Sequence, residues 1–216
     1  MLTIWYGGTF DPVHHGHLAV ARAAADTFGV PVTLAPAADP PHRGATGADA
    51  MQRAHMLDLA VAGDDRLRVD RRELQRAGPS WTIDTLRELR AALGTSASLA
   101  LLMGADSFRS LPTWKAWRQI PELAHLIVAA RHAGGDLDDL PVELAEAVAG
   151  RWSDAPGELS TVPAGRIHAL HQPLRGESAT ALRQAIAAGA PGWRDEVPAA
   201  VAAWIGARGL YRSPAP

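Results

Sequence analysis

The stretch Leu2-Thr3-Ile4-Trp5-Tyr6-Gly7-Gly8-Thr9-Phe10-Asp11-Pro12-Val13-His14-His15-Gly16-His17 decides how this chain is read. Its first five residues form an apolar run with the character of a buried strand. The residues after it, 18–25, have the composition of a helix. A glycine turn at Gly7-Gly8 between strand and helix lets backbone N–H groups approach a phosphate, and a helix N-terminus adds partial positive charge. His14 and His17 stand three apart and share one face on a first helical turn. Each part alone is ordinary: a Gly-Gly turn is most often just a turn, and a single histidine is most often scaffold. The combination suits a polyphosphate that reacts.

Outward from this stretch, strand and helix signals alternate. Residues 31–35 form a short apolar strand, followed by a loop through Pro40-Pro41-His42-Arg43. Ala50, Ala54, Leu57 and Val61 recur at helical spacing, and residues 67–69 read as a further strand. Ile83, Leu86, Leu89 and Leu93 mark a helix over 82–93. Residues 98–103 and 125–130 are buried strands, the first ending at Gly104. Strands separated by helices imply a parallel sheet with right-handed crossovers. Such sheets bind ligands beyond the C-terminal ends of their strands. The loops 7–17, 40–43 and 104–107 all fall there.

The stretch 134–163 reads as an exposed excursion with a short helix over 142–148. Residues 166–170 are the last strand candidate. Ser178 or Ala179 opens a helix to about Ala188, and residues 198–208 form a terminal helix closed by Gly209. The 216 residues fit a single domain, with a helical C-terminal part from about residue 178.

Composition narrows the classes. Hydrophobic residues make up 47% and charged residues 20%, as in a soluble globular protein. The net charge of −2 gives no general polyanion-binding surface, so no nucleic acid is expected. Lys115 is the only lysine; arginine supplies the remaining basic charge and suits planar contacts to phosphate. The chain has no cysteine, which excludes disulfides, thiolate metal sites and cysteine nucleophiles. No apolar run is long enough to span a bilayer, and the first residues do not have the pattern of a signal peptide. A cytoplasmic location is the default expectation, with no membrane partner and with a homo-oligomer left open.

Further constellations stand along the chain. Ser178, Thr180 and Arg183 open a helix with two hydroxyls and a guanidinium; taken alone they are a cap and a surface arginine. Pro40 and Pro41 stiffen a loop that presents His42 and Arg43. Trp81-Thr82 stands at a helix start, and Trp114-Lys115 lies in a loop-like stretch; buried packing is the ordinary fate of such tryptophans. Gly104 allows close backbone approach, and Asp106 is either a helix cap or an acceptor for ribose hydroxyls. His15, His55, His125, His132, His168 and His171 gain no role from spacing, and no cluster has metal-ligand spacing.

The run Gly7–His17 resembles the HxGH nucleotidyltransferase signature, in the version of the bacterial nicotinate mononucleotide adenylyltransferase family. Four more motifs resemble that family in the expected order: 40–43, 81–82 with 114–115, 104–107 and 178–183. The resemblance implies an α/β fold, a Rossmann-like parallel sheet with helices on both faces and a small helical C-terminal part. It implies transfer of the adenylyl group of ATP to nicotinate mononucleotide, giving deamido-NAD and pyrophosphate. His14, His17 and Arg183 are then the catalytic residues. Gly7, Gly8, Thr9, Phe10, Gly16, Gly104, Asp106, Ser178 and Thr180 line ATP. Asp11, Pro40, His42, Arg43, Trp81, Thr82, Trp114 and Lys115 line the mononucleotide. Mg²⁺ is expected to be bound through the ATP phosphates, with no metal ligand from protein side chains.

Backbone N–H groups near Thr82 and Lys115 favour a carboxylate over a carboxamide, whose NH₂ faces them as a donor. A sister enzyme using nicotinamide mononucleotide remains the nearest alternative. Trp81 and Trp114 argue against phosphopantetheine or glycerol phosphate as acceptor. A non-catalytic regulator of the same fold is disfavoured because His14, His17 and Arg183 are all present. One departure stands out: Glu177 precedes Ser178 where the family carries an apolar residue.

Overall fold

The computed structural model describes residues 1–38, 47–76, 78–130, 137, 139–171 and 176–212. Six strands form one parallel sheet: β1 (Leu2–Gly8), β2 (Val32–Pro36), β3 (Leu67–Val69), β4 (Ser98–Gly104), β5 (His125–Ala130) and β6 (Ile167–His171), in the order β3-β2-β1-β4-β5-β6. The four longest helices are α1 (His15–Phe28), α2 (Ala50–Val61), α3 (Thr82–Leu93) and, near the C-terminus, Ala199–Arg208. Between them lie the short α4 (Ala105–Arg109) and α5 (Ile120–Leu123), then α6 (Val142–Val148) and α7 (Ala179–Ala187); Ala199–Arg208 is α8.

The strand sequences explain why both sheet faces are covered. In β4, Ala100 and Leu102 point to one side and Leu99, Leu101 and Met103 to the other. Ile4 and Tyr6 of β1 join the first side, with Leu18 of α1, Leu57 of α2, Leu182 of α7 and Ile205 of α8. Trp5 joins the second, with Leu86 of α3, Phe108 of α4 and Leu144 of α6. A strand buried on both faces is apolar at every position, which is why β4 and β5 read as unbroken runs rather than alternations.

Three sequence expectations are corrected. Gly7 and Gly8 do not turn: they continue β1 and pair with Ala35 and Pro36 of β2. The turn comes at residues 9–14, where Phe10 takes a left-handed conformation, φ 50°, and the Asp11–Pro12 peptide is cis. Gly8 is needed for another reason, because a side-chain carbon there would lie 2.9 Å from the Phe10 ring. Second, the stretch 134–163 is not simply exposed. Leu144 and Leu159 are wholly buried, and the Pro163 carbonyl accepts from the Leu99 N–H at the start of β4. Third, Asp106 is not a helix cap; Gly104 holds that position in α4. The Gly209 closure of α8 does occur, in left-handed geometry with φ 63°.

β1 lies between β2 and β4, where chain direction around the sheet reverses. The loops leaving β1 and β4 therefore part company there and open a crevice.

Candidate active site

The crevice is built first by the β1–α1 loop. His14 is the N-cap of α1 and His17 its third residue. The His14 N–H donates to Nδ1 of His17 at 3.3 Å, and the His17 N–H donates to Nδ1 of His14 at 3.4 Å. A capping box normally made by Ser or Thr with Glu is thus made by two imidazoles. Their rings stack with centroids 3.7 Å apart. Because each Nδ1 accepts a backbone proton, each neutral ring carries its own proton on Nε2. The helix start therefore presents two imidazole N–H donors in addition to its backbone amides.

Burial holds His14 in that neutral form. Its pKa is pushed down to about 4, with the nearby Glu177 carboxylate opposing and His15 assisting. Phe10 packs edge-on against the His17 ring, centroids 5.0 Å apart, and against Tyr6 at 5.5 Å. Gly16 is required by close approach: a side-chain carbon there would lie 3.0 Å from His14 Nδ1 and 3.4 Å from Glu177 Oε2.

The C-terminal part closes onto this loop. Arg183 of α7 donates through Nη1 to the Asp11 carbonyl at 2.7 Å, and Nη2 reaches Thr180 Oγ1 at 3.4 Å. The guanidinium and the Thr180 hydroxyl are thereby brought beside the α1 N-terminus. Ser178 holds the N-cap position of α7 but makes no side-chain capping bond. Gly104 and Asp106 sit one strand over, at the end of β4; Gly104 faces open space and Asp106 is exposed.

The fourth group assembles on the same side as β4. Trp81 is the N-cap of α3 and Trp114 follows the single turn Leu111–Thr113; both are half-buried against the second core. The Lys115 ammonium lies 5.5 Å from the centroid of the Trp81 ring and 3.0 Å from Asp84 Oδ2. Trp81, Thr82, Trp114 and Lys115 therefore form one neighbourhood, although 31 residues separate Asp84 from Lys115. Pro40, His42 and Arg43 lie outside the described residues.

Asp11, expected on the mononucleotide, is held by the protein itself. Its carboxylate is buried and accepts from the Gly47 N–H at 2.9 Å, the Ala48 N–H at 3.1 Å and the Tyr211 hydroxyl at 2.8 Å. It ties the loop to the start of α2 and to the chain beyond α8. Burial, and then the neighbouring Asp11 carboxylate, push the Tyr211 hydroxyl pKa well above its usual value.

Sequence reasoning missed three further residues. Arg53 is wholly buried and donates to the carbonyls of Thr9 at 2.7 Å and Ala38 at 2.6 Å, joining the ends of β1 and β2. Its signal was a charge placed four before Leu57 on the apolar face of a helix. Tyr211 carries no local signal. Glu73 is buried in the single turn Arg72–Gln75 and accepts from two hydroxyls, Ser80 and Thr85.

Among the described residues no three His, Asp or Glu side chains converge to hold a metal ion, and no helix is long and apolar enough to cross a membrane. The site offers imidazole and backbone donors, one guanidinium and hydroxyls. That set suits phosphate oxygens, and none of the contacts among the described residues pairs a nucleophile with a base.

Comparison with known proteins supplies the family. The profile described as Cytidylyltransferase-like matches residues 5–185. A Stenotrophomonas maltophilia protein named "Probable nicotinate-nucleotide adenylyltransferase" is 53% identical, over 100% of this chain and 99% of its own length. A Marinobacter nauticus protein of the same name is 44% identical, over 95% of this chain and 94% of its own. Among solved structures, a Plasmodium falciparum nicotinic acid mononucleotide adenylyltransferase complexed with NaAD shares the fold. Its TM-score is 0.74 at 12% identity, over 97% of each chain. This chain belongs to the cytidylyltransferase-like family and, within it, to the nicotinate-nucleotide adenylyltransferases.

Proposed function

We infer that this chain transfers the adenylyl group of ATP to nicotinate mononucleotide, forming nicotinate adenine dinucleotide and pyrophosphate in NAD biosynthesis. The observation that carries the reading is the mutual His14–His17 cap, joined through Asp11 to Arg183. It sets neutral N–H donors and a cation at one helix N-terminus.

The chemistry needs little from the protein beyond placement. A phosphate oxygen of the mononucleotide, already ionised near pH 7, attacks the α-phosphorus of ATP. The bond from that phosphorus to the bridging oxygen of the β-phosphate breaks, and pyrophosphate leaves with the electron pair. No proton has to move, which matches a site without a general base. Catalysis then rests on alignment and on donors aimed at charge that grows on the α-phosphate and the leaving group. The Nε2–H groups of His14 and His17 serve the α-phosphate; Arg183 and Thr180 serve the leaving pyrophosphate. Gly7, Gly8, Thr9, Phe10 and Gly16 form the floor under the nucleotide, with Gly104, Asp106 and Ser178 at its rim. Magnesium enters with its substrate, ATP, held by phosphate oxygens and water.

On the other side, Trp81 and Trp114 frame the pyridine ring. Helix α3 begins at Thr82, and the first N–H groups of a helix have no acceptor within it, so they suit a carboxylate. The test is pyrophosphate release from ATP and Mg²⁺ with nicotinate mononucleotide and nicotinamide mononucleotide in parallel. Strong preference for the acid is expected. Equal use of both overturns the carboxylate argument, and release with neither overturns the reaction.

A further inference from the structure

The segment that leads into Trp81 is held by a buried polar clamp. Glu73 Oε2 accepts from Ser80 Oγ at 2.7 Å, and Glu73 Oε1 accepts from Thr85 Oγ1 at 2.8 Å. Ser80 is the residue before Trp81, and Thr85 lies in the first turn of α3. A single carboxylate therefore grips α3 on both sides of its N-cap. Glu73, Ser80 and Thr85 are each buried, at 7%, 9% and 1% exposure. Arg76 completes the clamp: Nη1 reaches Ser80 Oγ at 3.3 Å and Thr85 Oγ1 at 3.2 Å, while Nη2 pairs with Glu88 at 2.7 Å.

The start of α3 lacks the usual alternative. Trp81 makes no side-chain capping bond, so this helix N-terminus is not fixed by its own cap residue. A buried carboxylate that accepts two hydroxyl hydrogen bonds is a costly way to hold a loop, because an ionised group leaves water. It is a directional way, since both oxygens are used and both partners are short, rigid side chains. What it orients is the Trp81 ring and the first N–H groups of α3. Asp84, in the same turn, carries the orientation onward to Lys115 beside Trp114.

We propose that Glu73 is a positioning residue for the mononucleotide. By clamping Ser80 and Thr85 it sets the angle of the α3 N-terminus, and so the selection of a pyridine carboxylate over a carboxamide. The proposal rests on the adenylyltransferase reading above. Glu73 acts through Ser80 and Thr85 and is not placed against the reacting phosphates; the ATP side, built on α1 and α7, is held by separate contacts.

Steady-state pyrophosphate release on the intact protein tests it, using Glu73→Gln and, independently, Thr85→Val, which keeps the side-chain shape. Each is compared with the wild type on nicotinate mononucleotide and nicotinamide mononucleotide, with thermal melting measured alongside. The expected result is a KM for nicotinate mononucleotide raised about tenfold by loss of a charge-assisted hydrogen bond. The KM for ATP and the kcat should stay within about twofold, and the acid-over-amide ratio should fall. Both KM values and kcat worsening together with melting temperature would assign the clamp to stability alone and overturn the proposal, as would an unchanged acid-over-amide ratio. A wild type that releases no pyrophosphate with nicotinate mononucleotide overturns the underlying reading first, and that outcome is visible without either variant.

Discussion

His14 and His17 cap the same helix through each other: each ring accepts the other's backbone N–H through Nδ1, and the two rings stack 3.7 Å apart. The pair is therefore one unit with a fixed tautomer. Replacing His17 by Ala removes an Nε2–H donor and leaves His14 without its reciprocal partner. A fall in kcat of ~10²-fold or more is expected, on the scale of losing one preorganised donor. Single-turnover measurement of pyrophosphate formation checks it, and near-normal turnover returns His17 to a capping role only.

Burial of His14 makes stability depend on pH in a definite direction. Its folded pKa lies at about 4, below the 6.5 of an exposed histidine. Between those values the unfolded chain binds more protons than the folded one, so acid favours unfolding. Stability should be full above about pH 6.5 and decline as pH falls toward 4, by roughly 3 kcal/mol at most from this residue. Urea titrations at pH 7.5 and 5 measure the loss. A His14→Asn variant should show a smaller loss; burial also lowers the His125 pKa, so part of the slope should remain. An unaltered slope in the variant counts against the assignment.

Glu177 places a carboxylate where a side chain on Gly16 would touch it, at the start of α1. An anion there is favourable to the free protein, because a helix N-terminus attracts negative charge. It is unfavourable once a triphosphate arrives. Glu177→Gln should therefore lower the KM for ATP, by about fivefold for a partly screened charge pair, while lowering the melting temperature slightly. Initial rates at varied ATP and a thermal melt read both. A raised KM would mean that the acid helps the nucleotide to bind.

Trp114 is only half-buried against the second core, so part of its ring is available to a ligand. Trp114→Ala should raise the KM for nicotinate mononucleotide about fivefold, the scale of one aromatic stacking contact. The KM for ATP should hardly move. An unchanged mononucleotide KM would make Trp114 a packing residue.

Tyr211 donates to the buried Asp11 carboxylate at 2.8 Å. Tyr211→Phe keeps the ring and deletes that donor, at a cost of about 1 kcal/mol. For a chain of this length that is a drop of roughly 2–4 °C in melting temperature. Differential scanning calorimetry decides it; no shift would mean that water replaces the hydroxyl.

The parallel sheet was legible because its central strands, β4 and β5 above all, are buried on both faces and write themselves as nearly unbroken apolar runs. The helix over 82–93 was equally plain, since one face alone meets the core. The β1–α1 loop was legible because its partners are local: His14 and His17 bond to each other across three residues. The contacts of the Asp11 carboxylate were hidden for the opposite reason: its donors lie 36, 37 and 200 residues away in the chain. Arg53 and Glu73 were missed on the same ground, because their partners are backbone carbonyls and hydroxyls that only the folded chain assembles. The stretch 134–163 was hard to read because few of its side chains, Leu144, Val148 and Leu159 among them, reach the core, too few to set a period.

The hydroxyl of Tyr211 meets Asp11 in the same loop that carries both histidines, so the loop leaving β1 is completed by a residue 200 positions further along the chain. During synthesis the β1–α1 loop emerges before these partners: its carboxylate can take the Gly47 and Ala48 N–H groups early, but it gains the Tyr211 hydroxyl, and the Asp11 carbonyl gains Arg183, only when α7 and the segment beyond α8 follow. A nascent chain thus carries the His14–His17 loop without two of its long-range contacts until those segments emerge.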